Sequence, residues 1–328
     1  AFLALILLAG ELVCRVATPL NVSGFSKELF MKNAYGSSKG LAKHAEGLAF
    51  GVRVFTDEHG FRVPRGNPDA TTRHRDAILL LGDSVGFGPG VEEADTIAGR
   101  LRSALHETRV YNSSVPSYNT FDYKSVVEHF VPSHLDIRSV YLLFCLNDVE
   151  SMSSQFIDDH LNRADGAERT PASVANRVRA IPWVERLHGW LRTRSVLYLL
   201  IKNKLTNPPY RYWAEIAPYY SEDAHEHFLA VLQPVADIAE TLAARRVNFS
   251  VIILPYAYQF SDRDAAVWRP QEKLSAFFFD RRIDYVDAHD HLTASGLAPS
   301  QVFLPDDPDH LTSHGHQIIA DLMLAQEQ

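Results

Sequence analysis

Ile78-Leu79-Leu80-Leu81-Gly82-Asp83-Ser84-Val85 is an apolar run that ends at a serine. The run is short, a turn signal bounds it, and successive residues are apolar. That pattern reads as a strand buried on both faces of a parallel sheet. Gly82 breaks the strand and sets Ser84 just past its C-terminal edge, where open α/β sheets bind their ligands. A serine delivered there is a candidate nucleophile, provided that a base and an orienting acid arrive from elsewhere.

Outward from this run the chain alternates strand and helix, the pattern of an α/β sheet. Strands are expected at 77–82, 108–113, 139–145, 247–254 and 283–287. Helices are expected at 93–107, 120–132, 221–245, 268–281 and 312–326. Residues 52–63 alternate around His59-Gly60 and predict a small hairpin. The domain reading is a membrane or signal segment at 1–16, a lead-in with that hairpin at 17–75, and an α/β domain at 76–328. Residues 16–50 read as irregular and 64–75 as a loop. An insertion at about 151–220 holds Trp183, Trp190, Trp213, Tyr210, Tyr212, Tyr219 and Tyr220. It reads as a satellite core under a long loop, with a lid or an acyl- or sugar-binding wall as the alternative.

The 328 residues suffice for one large α/β domain with insertions. At 46% hydrophobic and 22% charged the chain is ordinary for a globular protein, and its net charge of −8 argues against a nucleic-acid partner. Cys14 and Cys145 lie in an N-terminal apolar stretch and at the end of a core strand, so no disulfide is expected. The first ten residues, AFLALILLAG, resemble the tail of a membrane helix or signal segment whose start is missing. The alternative is an amphipathic surface helix with Glu11 and Arg15 as an i,i+4 pair.

Two more motifs fall at predicted strand ends: Asn147-Asp148 after the third strand, and Asp307-Pro308-Asp309-His310 before the last helix. A parallel sheet brings all three to one edge. Ser84 needs a base, since its hydroxyl is a poor nucleophile near neutral pH. His310 suits that role, and Asp307, three residues away, can hold its other ring nitrogen. The Ser84 N–H and the Asn147 amide can serve a developing oxyanion. Asp306 and Asp309 read as solvated turn residues, Asp83 and Asp148 as acceptors for backbone N–H groups, and Cys145 as a buried core residue.

Other patterns carry less. The tract Asp306, Asp307, Asp309, His310, His314, His316 has metal-ligand types, but the serine motif already explains His310, and no metal or cofactor is expected. Gly36-Ser37-Ser38-Lys39-Gly40 fits G-x-S-x-G yet lacks the buried strand that this motif requires. Gly86, Gly88 and Gly90 have the wrong spacing for a dinucleotide fingerprint and read as a flexible loop beside the serine.

In order, these blocks resemble those of the SGNH hydrolases, also called the GDSL esterases and lipases. Gly82-Asp83-Ser84 matches the first block. Cys145-Leu146-Asn147-Asp148 matches Gly-x-Asn-Asp with Cys in place of Gly. Asp307 to His310 matches Asp-x-x-His, with Gly315 following. In the second block Ser117 stands where the family has glycine; if that position takes φ > 0, serine is strained there. The resemblance covers residues 52–326 and implies a three-layer α/β/α sandwich on a five-stranded parallel sheet, flavodoxin-like. It implies a Ser84–His310–Asp307 triad with an oxyanion hole from Ser84, Ser117 and Asn147, acting on an acyl ester without a cofactor. Asp57-Glu58-His59-Gly60-Phe61-Arg62 is similar to membrane-anchored bacterial members linked to O-acetylation or deacetylation of surface polysaccharides. That implies an extracytoplasmic domain, with a polysaccharide substrate and, for a transferase, a membrane acyl-donor protein as partner. A degenerate, non-catalytic carbohydrate-binding or assembly subunit is the reading from another class.

Overall fold

The structure is a computed structural model and describes residues 2–17, 24–67, 74–150, 182–261 and 264–327. Among these residues the strands are β1 Phe30–Ala34, β2 Ser37–Leu41, β3 Glu46–Ala49, β4 Val52–Thr56, β5 Arg62–Val63, β6 Asp76–Gly82, β7 Thr108–Asn112, β8 Ile137–Cys145, β9 Asn248–Leu254 and β10 Asp284–Asp287. The helices are α1 Phe2–Ala17, α2 Ser84–Phe87, α3 Ile97–Ala104, α4 Thr120–Phe130, α5 Pro182–Arg192, α6 Val196–Thr206, α7 Pro208–Ile216, α8 His225–Ala244, α9 Arg269–Asp280, α10 Ala288–Ala294, α11 Pro299–Val302 and α12 Ser313–Gln326.

Five strands form the central sheet in the order β10-β9-β8-β6-β7, all parallel. Ala77 to Leu81 are at most 1% exposed, as an apolar run covered on both faces must be. Each fully buried leucine there contributes about 1.5–3 kcal/mol. From β6 the chain crosses to β7 on one side and then returns past β6 to β8. With right-handed crossovers, α3 and α4 fall on opposite faces. α12 packs on α3 and on α10, while α8 packs on α4, and Phe228 of α8 meets Phe277 of α9. These are the three layers expected from the sequence. The order reverses between β6 and β8, so the switch point lies between the strands that carry Ser84 and Asn147.

The lead-in is more ordered than its sequence suggests. β1 and β2 form an antiparallel pair, and β3, β4 and β5 form a second antiparallel sheet. The strands are short and polar, and residues in left-handed conformation, Asn33, Tyr35 and Phe50, interrupt them, so alternation never develops. What holds them is burial of a few side chains, Leu29, Leu41, Ala49 and Val54, in the main core. The expected turn at His59-Gly60 is present: the Asp57 carboxylate accepts the N–H groups of His59 and Phe61, and Gly60 takes φ +79.

Residues 151–181 of the expected insertion lie outside the described residues. From Pro182 the insertion is helical, and its aromatics divide. Trp213 and Tyr220 join the core, whereas Trp183, Trp190, Tyr210 and Tyr212 are exposed. α1 packs on α6. The Glu11 carboxylate accepts Ser195 Oγ and the N–H groups of Val196 and Leu197, capping the N-terminus of α6. The expected Glu11–Arg15 pair forms at 2.8 Å. No described helix is long and apolar enough to cross a membrane.

Candidate active site

Four loops at the C-terminal edge of the sheet open on one cavity of about 320 Å³, lined in part by Ser84, Ser117, Asn147, Asp307 and His310. Ser84 is the first residue of α2, whose N-cap is Asp83. The Asp83 side chain accepts the Val85 N–H at 2.8 Å, which turns the chain sharply from strand to helix. Gly86 is required beside it. A Cβ there would come within 2.5 Å of Ser114 Oγ and 3.0 Å of Leu143.

Asp307 and His310 are brought together. His310 Nδ1 lies 2.8 and 2.9 Å from the two Asp307 oxygens, and the same carboxylate accepts the His310 and Asp309 N–H groups. Burial disfavours the imidazolium, but Asp307, Asp309 and Asp83 outweigh it and raise the His310 pKa to about 10. Burial likewise opposes ionisation of Asp307, and the His310 charge and hydrogen bonds overcome it, so that pKa is lowered.

The other ring nitrogen, Nε2, is buried and makes no hydrogen bond. Ser84 Oγ makes only a long 3.4 Å contact with Asp83 Oδ2. The Ser84–His310 hydrogen bond is therefore unmade in this resting arrangement, although both groups line the same cavity. Contacts of this kind commonly tighten only in the substrate complex.

Asn147 follows β8 in a 3₁₀ turn and reaches the cavity. Its amide also bonds the Asp83 carboxylate. An amide nitrogen has two N–H groups, so one can hold Asp83 while the other serves the cavity. Asp83 and Asp148 are acceptors, as expected; Asp148 takes the Cys145 N–H and the Tyr123 hydroxyl. Burial raises both acids, Asp148 well above the usual carboxylate range.

Ser117 is exposed at the cavity with φ +65. A non-glycine residue pays about 1–2 kcal/mol in that region. Ser117→Gly removes the penalty but adds chain entropy to the unfolded state. A net gain of about 0.5–1 kcal/mol is expected, with kcat/KM equal or higher. Thermal melts and esterase assays check this, and a lower melting temperature would count against the strain.

Two sequence expectations need correction. Asp309 is not a solvated turn residue: it is 5% exposed, and Cys145 Sγ donates to its Oδ2 at 3.5 Å. Pro308 ties the loop inward, its carbonyl accepting the Ala257 N–H at 2.8 Å. Burial raises Asp309 to about 7. The glycine loop after α2 is pinned rather than loose. Buried Arg62 donates to the carbonyls of Phe87, Gly88 and Val91, each at 2.6 Å. Sequence reasoning gave Arg62 no role; an arginine between apolar Phe61 and Val63 was the available signal. Phe50 was also missed. Its ring stands edge-on to His310 at 5.3 Å. The Asp/His tract converges only in part: Asp307, Asp309 and His310 bring their polar atoms within 4.8 Å of one another, whereas His314 is exposed and His316 is buried with Nδ1 accepting the Ile97 N–H.

A base must be neutral to accept a proton, so a raised His310 pKa shifts the rising limb of kcat/KM to alkaline pH. Asp309→Asn removes one raising charge and is expected to move that limb to lower pH. The effect belongs above about pH 7, where Asp309 is ionised. A pH profile of the two proteins decides it; a limb that stays put or moves upward contradicts the assignment.

No protein-family profile and no curated protein match the chain. Solved structures of similar shape include a lipolytic protein of the G-D-S-L family from Veillonella parvula, at 12% identity and TM-score 0.42, covering 76% of this chain and 96% of that one. An acetylxylan esterase from Geobacillus stearothermophilus has 12% identity and TM-score 0.43, with 77% and 94% covered. A lipase/acylhydrolase from Enterococcus faecalis has 12% identity and TM-score 0.41, with 76% and 94% covered.

Proposed function

We propose that this chain is a serine hydrolase of the SGNH type that cleaves an O-acyl ester, foremost an acetyl group on a carbohydrate. The observation that carries the reading is convergence. Ser84, Asn147 and the Asp307–His310 pair come from three distant stretches and meet on one cavity at the sheet's switch point. Ser84 Oγ attacks the ester carbonyl as His310 Nε2 takes its proton and Asp307 holds the ring. Asn147, with the N–H groups of Ser84 and Ser117, receives the oxyanion. The leaving alcohol takes the proton from His310, and water, activated by the same base, releases the acid.

The same acyl-enzyme resolved by a sugar hydroxyl is an O-acetyltransferase, which an acceptor-dependent product identifies. Attachment to a membrane through the α1 end, an extracytoplasmic site and a membrane acyl donor form the cellular setting of this proposal. The strained Ser117 and the unmade Ser84–His310 bond favour one rival, a non-catalytic binding subunit. Hydrolysis of an aryl acetate together with covalent labelling by a fluorophosphonate tests the choice. Absence of both sinks the enzyme reading.

A further inference from the structure

α6 joins the catalytic cavity to α1. It gives Leu199, Lys202 and Asn203 to the lining of the catalytic cavity, and it also carries α1 through the Glu11 cap and through Cys14 against Val196 and Leu199. α5 packs on α6 as well. α1, α5 and α6 are thus one packed unit at the cavity wall.

That unit turns many large apolar side chains to solvent. α1 turns Gly10, Glu11 and Cys14 toward the domain. Leu5, Leu8, Leu12 and Val13 of α1 and Trp183 and Trp190 of α5 are each 54% exposed or more. Such a concentration is unusual for a monomer surface and marks a contact. The charge of the segment says with what. Residues 2–17 and 182–206, which hold the three helices, carry six Lys or Arg against two Glu, in a chain whose net charge is −8. Exposed tryptophans, an apolar helix and a local excess of basic residues are the composition of an element lying in the headgroup layer of an anionic bilayer.

We infer that α1, α5 and α6 form a membrane-docking platform that sets the mouth of the Ser84 cavity against an anionic lipid surface. α1 does not hold the domain away from the membrane on a stalk; Glu11 clasps it to the cavity wall. Together with the proposed esterase activity, this makes the substrate an acyl ester carried by a bilayer-resident amphiphile. The bilayer contact itself stands independently of that activity.

Flotation of the chain with phosphatidylcholine vesicles, with and without phosphatidylglycerol, tests the platform. The protein is expected to float with the anionic vesicles, less with the neutral ones, and less as salt is raised. Two variants in separate helices, Trp183→Ser with Trp190→Ser and Leu8→Ser with Leu12→Ser, are each expected to weaken vesicle binding by at least about tenfold. Neither pair lines the cavity, so hydrolysis of a soluble aryl acetate should be unchanged, while hydrolysis of a long-chain ester in vesicles falls. Ser84→Ala should float like the parent, which separates failure of the platform from failure of the chemistry. A parent protein that stays in the soluble fraction with both vesicles overturns the inference. So does a dimer that these substitutions dissociate, because the face would then belong to a second copy.

Discussion

Replacing Ser84 by alanine is expected to lower aryl acetate hydrolysis by about 10⁴- to 10⁶-fold and to abolish fluorophosphonate labelling. Ser84 supplies the atom that bonds to the acyl carbon, so nothing can compensate its loss within this mechanism. His310→Ala is expected to cost a similar factor, and the double variant little more than either alone. The two side chains act as one unit, in which a nucleophile without a base is nearly as idle as a base without a nucleophile. Folding should survive the serine change. Ser84 opens a helix whose cap is Asp83, and alanine is a good helix former. An unchanged melting temperature therefore accompanies the expected loss. Residual activity within about tenfold of the parent, or strictly multiplicative losses in the double variant, would remove the triad from this cavity.

The sheet was legible because its strands obey one simple rule. Parallel strands covered on both faces carry continuous apolar runs, and β6, β8 and β9 do at Ala77–Leu81, Val140–Cys145 and Val251–Leu254, so their limits fall within one or two residues of expectation. The site was legible for a related reason: strand ends with Ser84 and Asn147 share an edge whatever the loops do. The parts that stayed hidden depend on contacts distant in sequence. β1 to β3 are held by a few core side chains rather than by their own alternation. Asp309 looks solvated until Pro308 is seen bonded to Ala257. Arg62 is 26 residues from Gly88, whose carbonyl it holds, and no local pattern announces that clamp. The Glu11 cap on α6 spans 185 residues to Val196. In each case a side chain or backbone group finds its partner only after the sheet has been built.

Asn147→Ala is expected to lower kcat by about 100- to 1,000-fold with little change in KM, the signature of a donor needed when charge develops on the ester oxygen. The geometry gives this residue two tasks. One amide N–H braces Asp83, the acid that caps α2 and so fixes where Ser84 stands. The other is available to the cavity that Asn147 lines, and the side-chain oxygen Oδ1 makes no hydrogen bond. Alanine removes both, so the two contributions need separating. Loss of the brace alone would leave buried Asp83 one donor short and show as lower thermal stability; loss of the oxyanion donor leaves the melt intact and falls on kcat. Asn147→Asp sharpens the contrast, because a carboxylate keeps the shape, donates nothing and adds a charge beside Asp83 and the developing oxyanion. It should be at least as slow as the alanine variant. A variant that keeps its kcat and loses only in KM would show that Asn147 binds substrate without stabilising the transition state.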